Sequence, residues 1–505
     1  MSDTNDEHRF TTLFRKYGAI IVFTGLVFLL CYISGAFRLL TFRPIGEHTW
    51  AQTDRAAVAY NYYANHASFF LPQTFRLNDN PSGIEAGEFP LLPWVASVFY
   101  RLFGFNESWF RLLTFILSIC GFFIAFFIGK KLIVSPFLAL ASALSWIGSG
   151  YLLYYTTNFL PDTVSLTFLL AAFGILVHPY PDYPVRNLGY FSFFASLSLL
   201  LKASSFFLYV PVIFVFLFFI GKNASEPRPL KRFLFFAVVP IGLVISWLMY
   251  AWFLQHKYHS SVFLLGIRPP ESLAHYIAQL GIFFDGFSNY YGPFIWILLF
   301  AGVCLLLFSL GKKIAIFNSI WIMCILSWLI FFWIFCKQAD HHSYYHVPFF
   351  FIFFLFFLAV FLSLDRIQLS IQFQIGIVCT VSGIFLMNIM DVKNTFDKVA
   401  FHTELVHPDW YSIGPELNKM GIGSEDKIFT CEDPSMNISL YLMKHKGWNC
   451  MNDYWVSYIK KGLADCDFAV LTDSVLLTNP ELTPFFGALR GEFGKLKVFK
   501  LQKLN

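Results

Sequence analysis

The sequence predicts an α-helical membrane protein of about eleven spans, with a small α/β domain outside the membrane at its C-terminal end. Three observations carry this reading. The 505 residues are 57% hydrophobic and 13% charged, whereas soluble domains are about a quarter charged. Several apolar runs approach the ~20 residues that a helix needs to cross the hydrocarbon core. From about residue 391 the long apolar runs give way to short strand and helix patterns. A bilayer cannot hydrate an open sheet edge, and runs of this length exclude barrel strands, so the spans are helices.

The spans are expected near 17–40, 109–129, 136–156, 160–177, 187–201, 204–221, 233–254, 292–310, 314–335, 347–364 and 371–390. Residues Met1 to Lys16 are polar without a cleavable-signal pattern, so the first span is expected to stay as an anchor. With the N-terminus in the cytoplasm, the inside ends carry Arg15, Lys16, Lys130, Lys131, Arg186, Lys222, Arg228, Lys231, Arg232, Lys312, Lys313 and Arg366. The outside turns carry few cations, with Lys202 and Lys337 the exceptions, as the positive-inside rule requires. An odd number of spans puts the C-terminal region outside, and the expected setting is a bacterial inner membrane with that region periplasmic. The 65 phenylalanines are read as lipid-facing bulk without functional weight.

The domains are expected as 1–390, spans plus the outside loop 41–108, and 391–505, the α/β domain. The loop holds helix-like stretches at Arg55 to Ala64 and Leu91 to Phe103, with apolar faces suited to the membrane surface. In the tail, Ile428-Phe429-Thr430 and Phe468 to Thr472 read as buried strands, and Leu496 to Leu501 as an edge strand. Ser435 to Lys446 and Tyr454 to Leu463 read as helices. Nine cysteines are scattered without metal-ligand spacing. Cys431, Cys450 and Cys466 allow one disulfide in an oxidising compartment and leave one thiol free.

A net charge of +5, with cations mostly in short loops, reports topology and gives no case for nucleic acid. No phosphate-cradling Gly loop, Ser-His-Asp order or CxxC pair is present. The chemistry concentrates in outside polar patches. In Gly46-Glu47-His48-Thr49-Trp50-Ala51-Gln52-Thr53-Asp54-Arg55, Asp54 reads both as an N-cap of a helix beginning at Arg55 and as a base at the membrane surface. Glu88 enters the Pro-rich start of a helix. Asp162, after Asn158-Phe159-Leu160-Pro161, suits a helix N-terminus and, with Glu88 and His48, an acid cluster. Lys202, in a short outside turn, either snorkels or meets an anion. Lys337-Gln338-Ala339-Asp340-His341-His342-Ser343-Tyr344-Tyr345-His346 lacks the i, i+4 spacing of a helical metal site, so phosphate contact is preferred. Arg268 is a further outside cation.

These patches resemble the GT-C membrane glycosyltransferases, in particular protein O-mannosyltransferases and bacterial aminoarabinose lipid A transferases. The residues that carry the likeness are Gln52-Thr53-Asp54, Glu88-Phe89-Pro90-Leu91, Tyr100-Arg101-Leu102-Phe103-Gly104, Arg111, Leu160-Pro161-Asp162 and His341 to Pro348. Two positions depart from the pattern. Glu88 stands where aminoarabinose transferases have a phosphate-binding lysine, and Arg55 follows Asp54 where mannosyltransferases have a second acid. The resemblance implies an inverting transfer from a polyprenyl-phosphate-linked sugar to a hydroxyl of a glycan, lipid or protein at the outer membrane face. It implies Asp54 as base, and Glu88, Asp162 and His48 around the acceptor. Arg55, Lys202, Arg268, His341, His342 and Tyr345 would hold the donor phosphate. No cofactor is certain; a divalent cation at the acids stays open. A polytopic transporter and a lipid-linked polysaccharide polymerase or ligase are the rival readings.

Overall fold

The computed structural model describes residues 17–78, 80–177, 184–223, 227–260, 266–291, 295–309, 311–339, 342–397, 406–431, 433, 435, 437–450, 455–472 and 475–503. The chain divides into two compact units: residues 1–41, 112–247 and 266–397 form one, and residues 42–111, 248–265 and 398–505 form the other.

The first unit is helical. Each of the eleven expected apolar segments carries a helix, beginning with Ala19–Ile33 and ending with Ile371–Asp397. Among the described residues, five helices are long and apolar enough to cross a membrane alone: Ser108–Leu132, Ala203–Lys222, Arg228–Tyr258, Ile314–Ile334 and Ser343–Arg366. The segment expected as one span at 136–156 is two helices, Pro136–Ile147 and Gly150–Thr156, bent by 68°. Gly148 resists helix, and Ser149 accepts a hydrogen bond from the Leu152 N–H to cap the second piece. A further helix, Leu273–Tyr291, occupies part of what was expected as an outside loop. His275, Gln279, Asp285 and Asn289 dilute its apolar signal.

The phenylalanine reading needs correction. Val347–Arg366 holds Phe350, Phe351, Phe353, Phe354, Phe356, Phe357 and Phe361, and all are buried. A helix apolar on every side is a core element; this one packs against Pro136–Ile147, Asp162–Leu176, Ile295–Phe308 and Lys312–Ile334. Phenylalanine here fills the centre of the bundle as well as facing lipid.

The second unit contains a five-stranded sheet: β1 Ile428–Cys431, β2 Gly447–Cys450, β3 Phe468–Leu471, β4 Phe486–Phe493 and β5 Leu496–Leu501. Their order is β2-β1-β3-β5-β4, with β1 parallel to β2 and β3, and β5 antiparallel to β3 and β4. Leu496–Leu501, expected at an edge, is thus an inner strand. Strands β2 and β4 were not expected; Gly447 and Asn449, and Gly487 and Gly491, interrupt the β-rich composition that marks a strand. Helices Ile438–Met443 and Val456–Asp465 make the two crossovers, the first shorter than the expected 435–446. Cys431 and Cys450 are register partners on β1 and β2 and form a disulfide, leaving Cys466 free and buried.

The first loop folds onto this sheet. The Leu77 N–H donates to the Gly447 carbonyl at 2.7 Å, and the Gly447 N–H donates to the Phe75 carbonyl at 3.0 Å. Residues Phe75 to Leu77 therefore cover the outer edge of β2, which would otherwise present unpaired backbone groups. Gly447 is required here: an added Cβ would overlap the Ile428 carbonyl on β1. Gly447→Ala is expected to lower stability by about 1–3 kcal/mol, read as a drop in the Tm of the purified full-length protein.

Candidate active site

Asp54 does not cap a helix. The helix that carries it is Thr49–Ala64, which starts earlier than expected and places Asp54 in its second turn. Two left-handed residues, Gly46 at φ 85° and His48 at φ 58°, turn the chain into this helix. The Thr49 hydroxyl donates to the Gly46 carbonyl at 2.5 Å. Gln52 donates to the carbonyls of Ile45 and Glu47 at 2.9 Å each. Arg111, almost fully buried, donates through Nε to the Phe42 carbonyl at 2.6 Å and through Nη2 to the Arg43 carbonyl at 2.8 Å. Arg111 thus fastens the start of the loop, a structural role that its place at the head of an apolar helix did not disclose.

The surroundings of Asp54 combine distant parts of the sequence. Arg55, Arg76 and Asp433 act on it electrostatically, and the Asn437 amide reaches the carbonyl of the preceding Thr53 at 3.4 Å. Burial pushes the Asp54 carboxyl up to about 7, against the downward pull of Arg55 and Arg76 and with Asp433 adding to the rise. Glu85 is pushed up to about 8, first by burial and then by Asp54, while Arg76, 3.6 Å away, pulls it down. Asp433 is also raised by burial, although it accepts from the Ser435 N–H and hydroxyl at 2.9 and 2.7 Å and from the Ser439 N–H at 2.6 Å. A carboxyl near neutrality inside protein can take a proton from a hydroxyl and release it again.

The other residues expected in the site divide between the two units. In the second unit, Arg55 donates through Nε and Nη2 to one oxygen of Glu88, at 3.1 and 2.6 Å, and through Nη1 to the Ala51 carbonyl at 3.0 Å. The acid at position 88 is thereby a partner of Arg55, and the two departures from the family pattern occur together. His48 is buried, with Nε2 3.3 Å from Glu47 and its ring edge-on to Trp50.

In the first unit, Asp162 opens the helix Asp162–Leu176 and lies 3.3 Å from the Lys202 ammonium. Lys202 also stands 4.7 Å from the Tyr344 ring, and the rings of His342, Tyr344 and Tyr345 stack in one group. Tyr155 and Ser343 share a hydrogen bond of 2.9 Å, and Tyr345 donates to Gln338 at 3.4 Å. This gathers the turn after Leu201, the start of a helix near 162 and the His-Tyr patch into one polar cluster. The Arg268 side chain is exposed; its backbone bonds Ile334 and Lys337. His341 lies outside the described residues. Among the described residues, no three His, Cys, Asp or Glu side chains are placed to hold a metal ion.

Arg76, Glu85, Asp433 and Asn437 are the site residues that the sequence reading missed. Glu85 alone offered a signal, being an acid three positions before the selected Glu88. Asp433 and Asn437 lie almost 400 residues from Asp54, beyond the reach of any local pattern.

The Asp162–Lys202 pair is nearly enclosed, with side chains 2% and 13% exposed. Lys202→Met leaves the carboxylate without its cation, a loss of about 3–5 kcal/mol. The expected readout is a lower Tm for the full-length protein in detergent, largely restored by the double replacement Lys202→Met/Asp162→Leu.

Residues 81–252 match the family model of dolichyl-phosphate-mannose-protein mannosyltransferase. No curated protein matches the chain by sequence. Among solved structures, ArnT from Cupriavidus metallidurans in the apo state is 11% identical with a TM-score of 0.63, covering 95% of this chain and 97% of that one. The same enzyme bound to undecaprenyl phosphate gives the same identity and TM-score, covering 95% and 98%. The Archaeoglobus fulgidus oligosaccharyltransferase in complex with Zn and sulfate is 12% identical with a TM-score of 0.54, covering 93% of this chain and 72% of that one. The chain therefore has the GT-C glycosyltransferase fold, with the mannosyltransferase family signature over residues 81–252.

Proposed function

We propose that this protein is a membrane glycosyltransferase that moves a sugar from a polyprenyl-phosphate donor to a hydroxyl acceptor at the outer face of the membrane. The observation that carries this reading is the placing of Asp54 on the helix Thr49–Ala64 among Arg55, Arg76 and Asp433, where burial raises its carboxyl toward neutrality. The mannosyltransferase signature and the likeness to an enzyme crystallised with undecaprenyl phosphate support the donor class.

The reaction balances without a cofactor. The acceptor oxygen attacks the anomeric carbon as Asp54 takes its proton. The bond from that carbon to the phosphate oxygen breaks, and its electron pair leaves with the polyprenyl phosphate. Attack opposite the leaving group inverts the anomeric centre. A phosphate monoester leaves without protonation, so one base suffices. Charge growing on the departing phosphate calls for a fixed cation in a partly dry setting. Lys202, with Tyr344, Tyr345 and His342 around it, offers that charge, and Arg55 and Arg268 are the further cations outside the membrane. The acceptor is a glycan, lipid or protein hydroxyl, and Glu88, Asp162 and His48 are the residues proposed to orient it. The setting is the bacterial inner membrane, with the catalytic face periplasmic.

Asp54→Asn is expected to lower transfer by about 10²–10⁴-fold, measured as sugar transfer from undecaprenyl-phosphate-linked donors in membranes; full activity of this variant overturns the assignment. A base must be ionised to act, so wild-type activity should fall as pH drops through about 7 and level off above it. Lipid extracts of cells lacking the protein should accumulate the one lipid-linked sugar it consumes.

A further inference from the structure

We propose that Asp162 is the counter-ion that a phosphate must displace to reach Lys202, and that its return to Lys202 drives out the polyprenyl phosphate product. This rests on the reading of Lys202 as the cation that meets the donor phosphate. The Asp162 carboxylate lies 3.3 Å from the Lys202 ammonium, and both side chains are nearly enclosed. A carboxylate oxygen and a phosphate oxygen offer an ammonium the same charge-assisted hydrogen bond, so the two anions compete for one charge.

The fold keeps both charges in place while they part. Ser165 lies one turn beyond Asp162 on the helix Asp162–Leu176. Its hydroxyl donates to the Ser198 carbonyl at 2.9 Å and shares a hydrogen bond of 2.7 Å with the Ser205 hydroxyl. Ser198 and Ser205 bracket the turn that carries Lys202. The Lys202 N–H donates to the Ser198 carbonyl, and the Ser205 N–H donates to the Lys202 carbonyl, at 3.0 Å each. Helix and turn are thus fastened by serine hydroxyls and do not depend on the ion pair alone. The Tyr344 ring, 4.7 Å from the ammonium, attracts the cation whichever anion is paired with it.

The charges of the two ligands explain what a counter-ion does here. The donor phosphate is a diester with one negative charge, whereas the monoester product carries up to two near neutral pH. Lys202 therefore attracts the product more strongly than the donor. A carboxylate fixed on the same fold competes at a high effective concentration. It regains the ammonium as the phosphate leaves, so the enclosed lysine keeps a negative partner throughout.

The test uses full-length protein in lipid nanodiscs, with undecaprenyl phosphate as the probe and undecaprenol, which lacks the phosphate, as control. Asp162→Asn keeps the shape and removes the competing charge. It is expected to bind undecaprenyl phosphate about tenfold more tightly than wild type, with undecaprenol binding unchanged. Its Tm is expected to be low without ligand, and undecaprenyl phosphate should raise it by more than it raises that of wild type, because the ligand supplies the missing negative charge. In transfer assays the first turnover is expected near the wild-type rate, with later turnovers slowed as product stays bound. Equal or weaker binding of undecaprenyl phosphate by Asp162→Asn overturns the inference, and so does an equal gain for undecaprenol. A slowed first turnover with unchanged product affinity also overturns it, being the mark of a residue that orients the acceptor. The double replacement Lys202→Met/Asp162→Leu separates the inference from the reading beneath it. If that variant binds undecaprenyl phosphate as tightly as wild type, the phosphate does not meet Lys202 and the donor-site reading fails. If it loses binding while Asp162→Asn gains none, that reading stands and the counter-ion exchange fails.

Discussion

Burial with too little positive charge is the constraint from which the rest of the second unit follows. Glu85 and Asp433 are taken out of water and Asp54 is half-buried beside them, and two guanidiniums, Arg55 and Arg76, act on Asp54. Arg55 is already paired with Glu88, and Arg76 is shared with Glu85. Three carboxyls cannot all ionise under those conditions, so protons take the place of missing cations and the acids titrate as a coupled set. The same arithmetic that makes this region costly to fold leaves a proton-accepting group near neutral pH. The membrane unit meets the problem differently, by giving Asp162 its own ammonium from Lys202. One unit balances its buried acids with protons, the other with a lysine.

Such a cluster holds only if its backbone cannot relax. Arg111 ties residues 42 and 43, Gln52 ties the turn at 45–47, and the sheet edge ties 75–77. The Arg111 and sheet-edge clamps join residues far apart in sequence. The disulfide between neighbouring strands closes the stretch that contains the Asp433–Asn437 turn. Rigidity of this kind is what keeps a carboxyl from rotating toward water and returning to its ordinary acidity.

Much of this was legible in the sequence, and the boundary has a physical cause. Hydropathy locates apolar helices because the solvent selects composition, and every expected segment carries one. It does not say which of them face lipid, because a bundle core and a hydrocarbon are equally apolar; hence the misplaced phenylalanines of Val347–Arg366. Asp54 stood out as an acid in a conspicuous polar loop. Its helix position did not, because alanines and a left-handed histidine moved the start to Thr49. Arg76, Glu85, Asp433 and Asn437 belong to the centre by tertiary contact alone. Glu88 read as a lost cation until its partner Arg55 was seen beside it.

The edge contact between the first loop and β2 also sets an order of events in time. Asn78 and Asn449 hydrogen-bond across 371 residues, a separation that contains the helices of the first unit. At synthesis rates of about 5–20 residues per second, the loop emerges roughly 20–75 s before the strand that completes it. For that interval Phe75 to Leu77 and the acids beside them stand without their partner. The second unit is assembled last, when the end of the chain returns to its beginning.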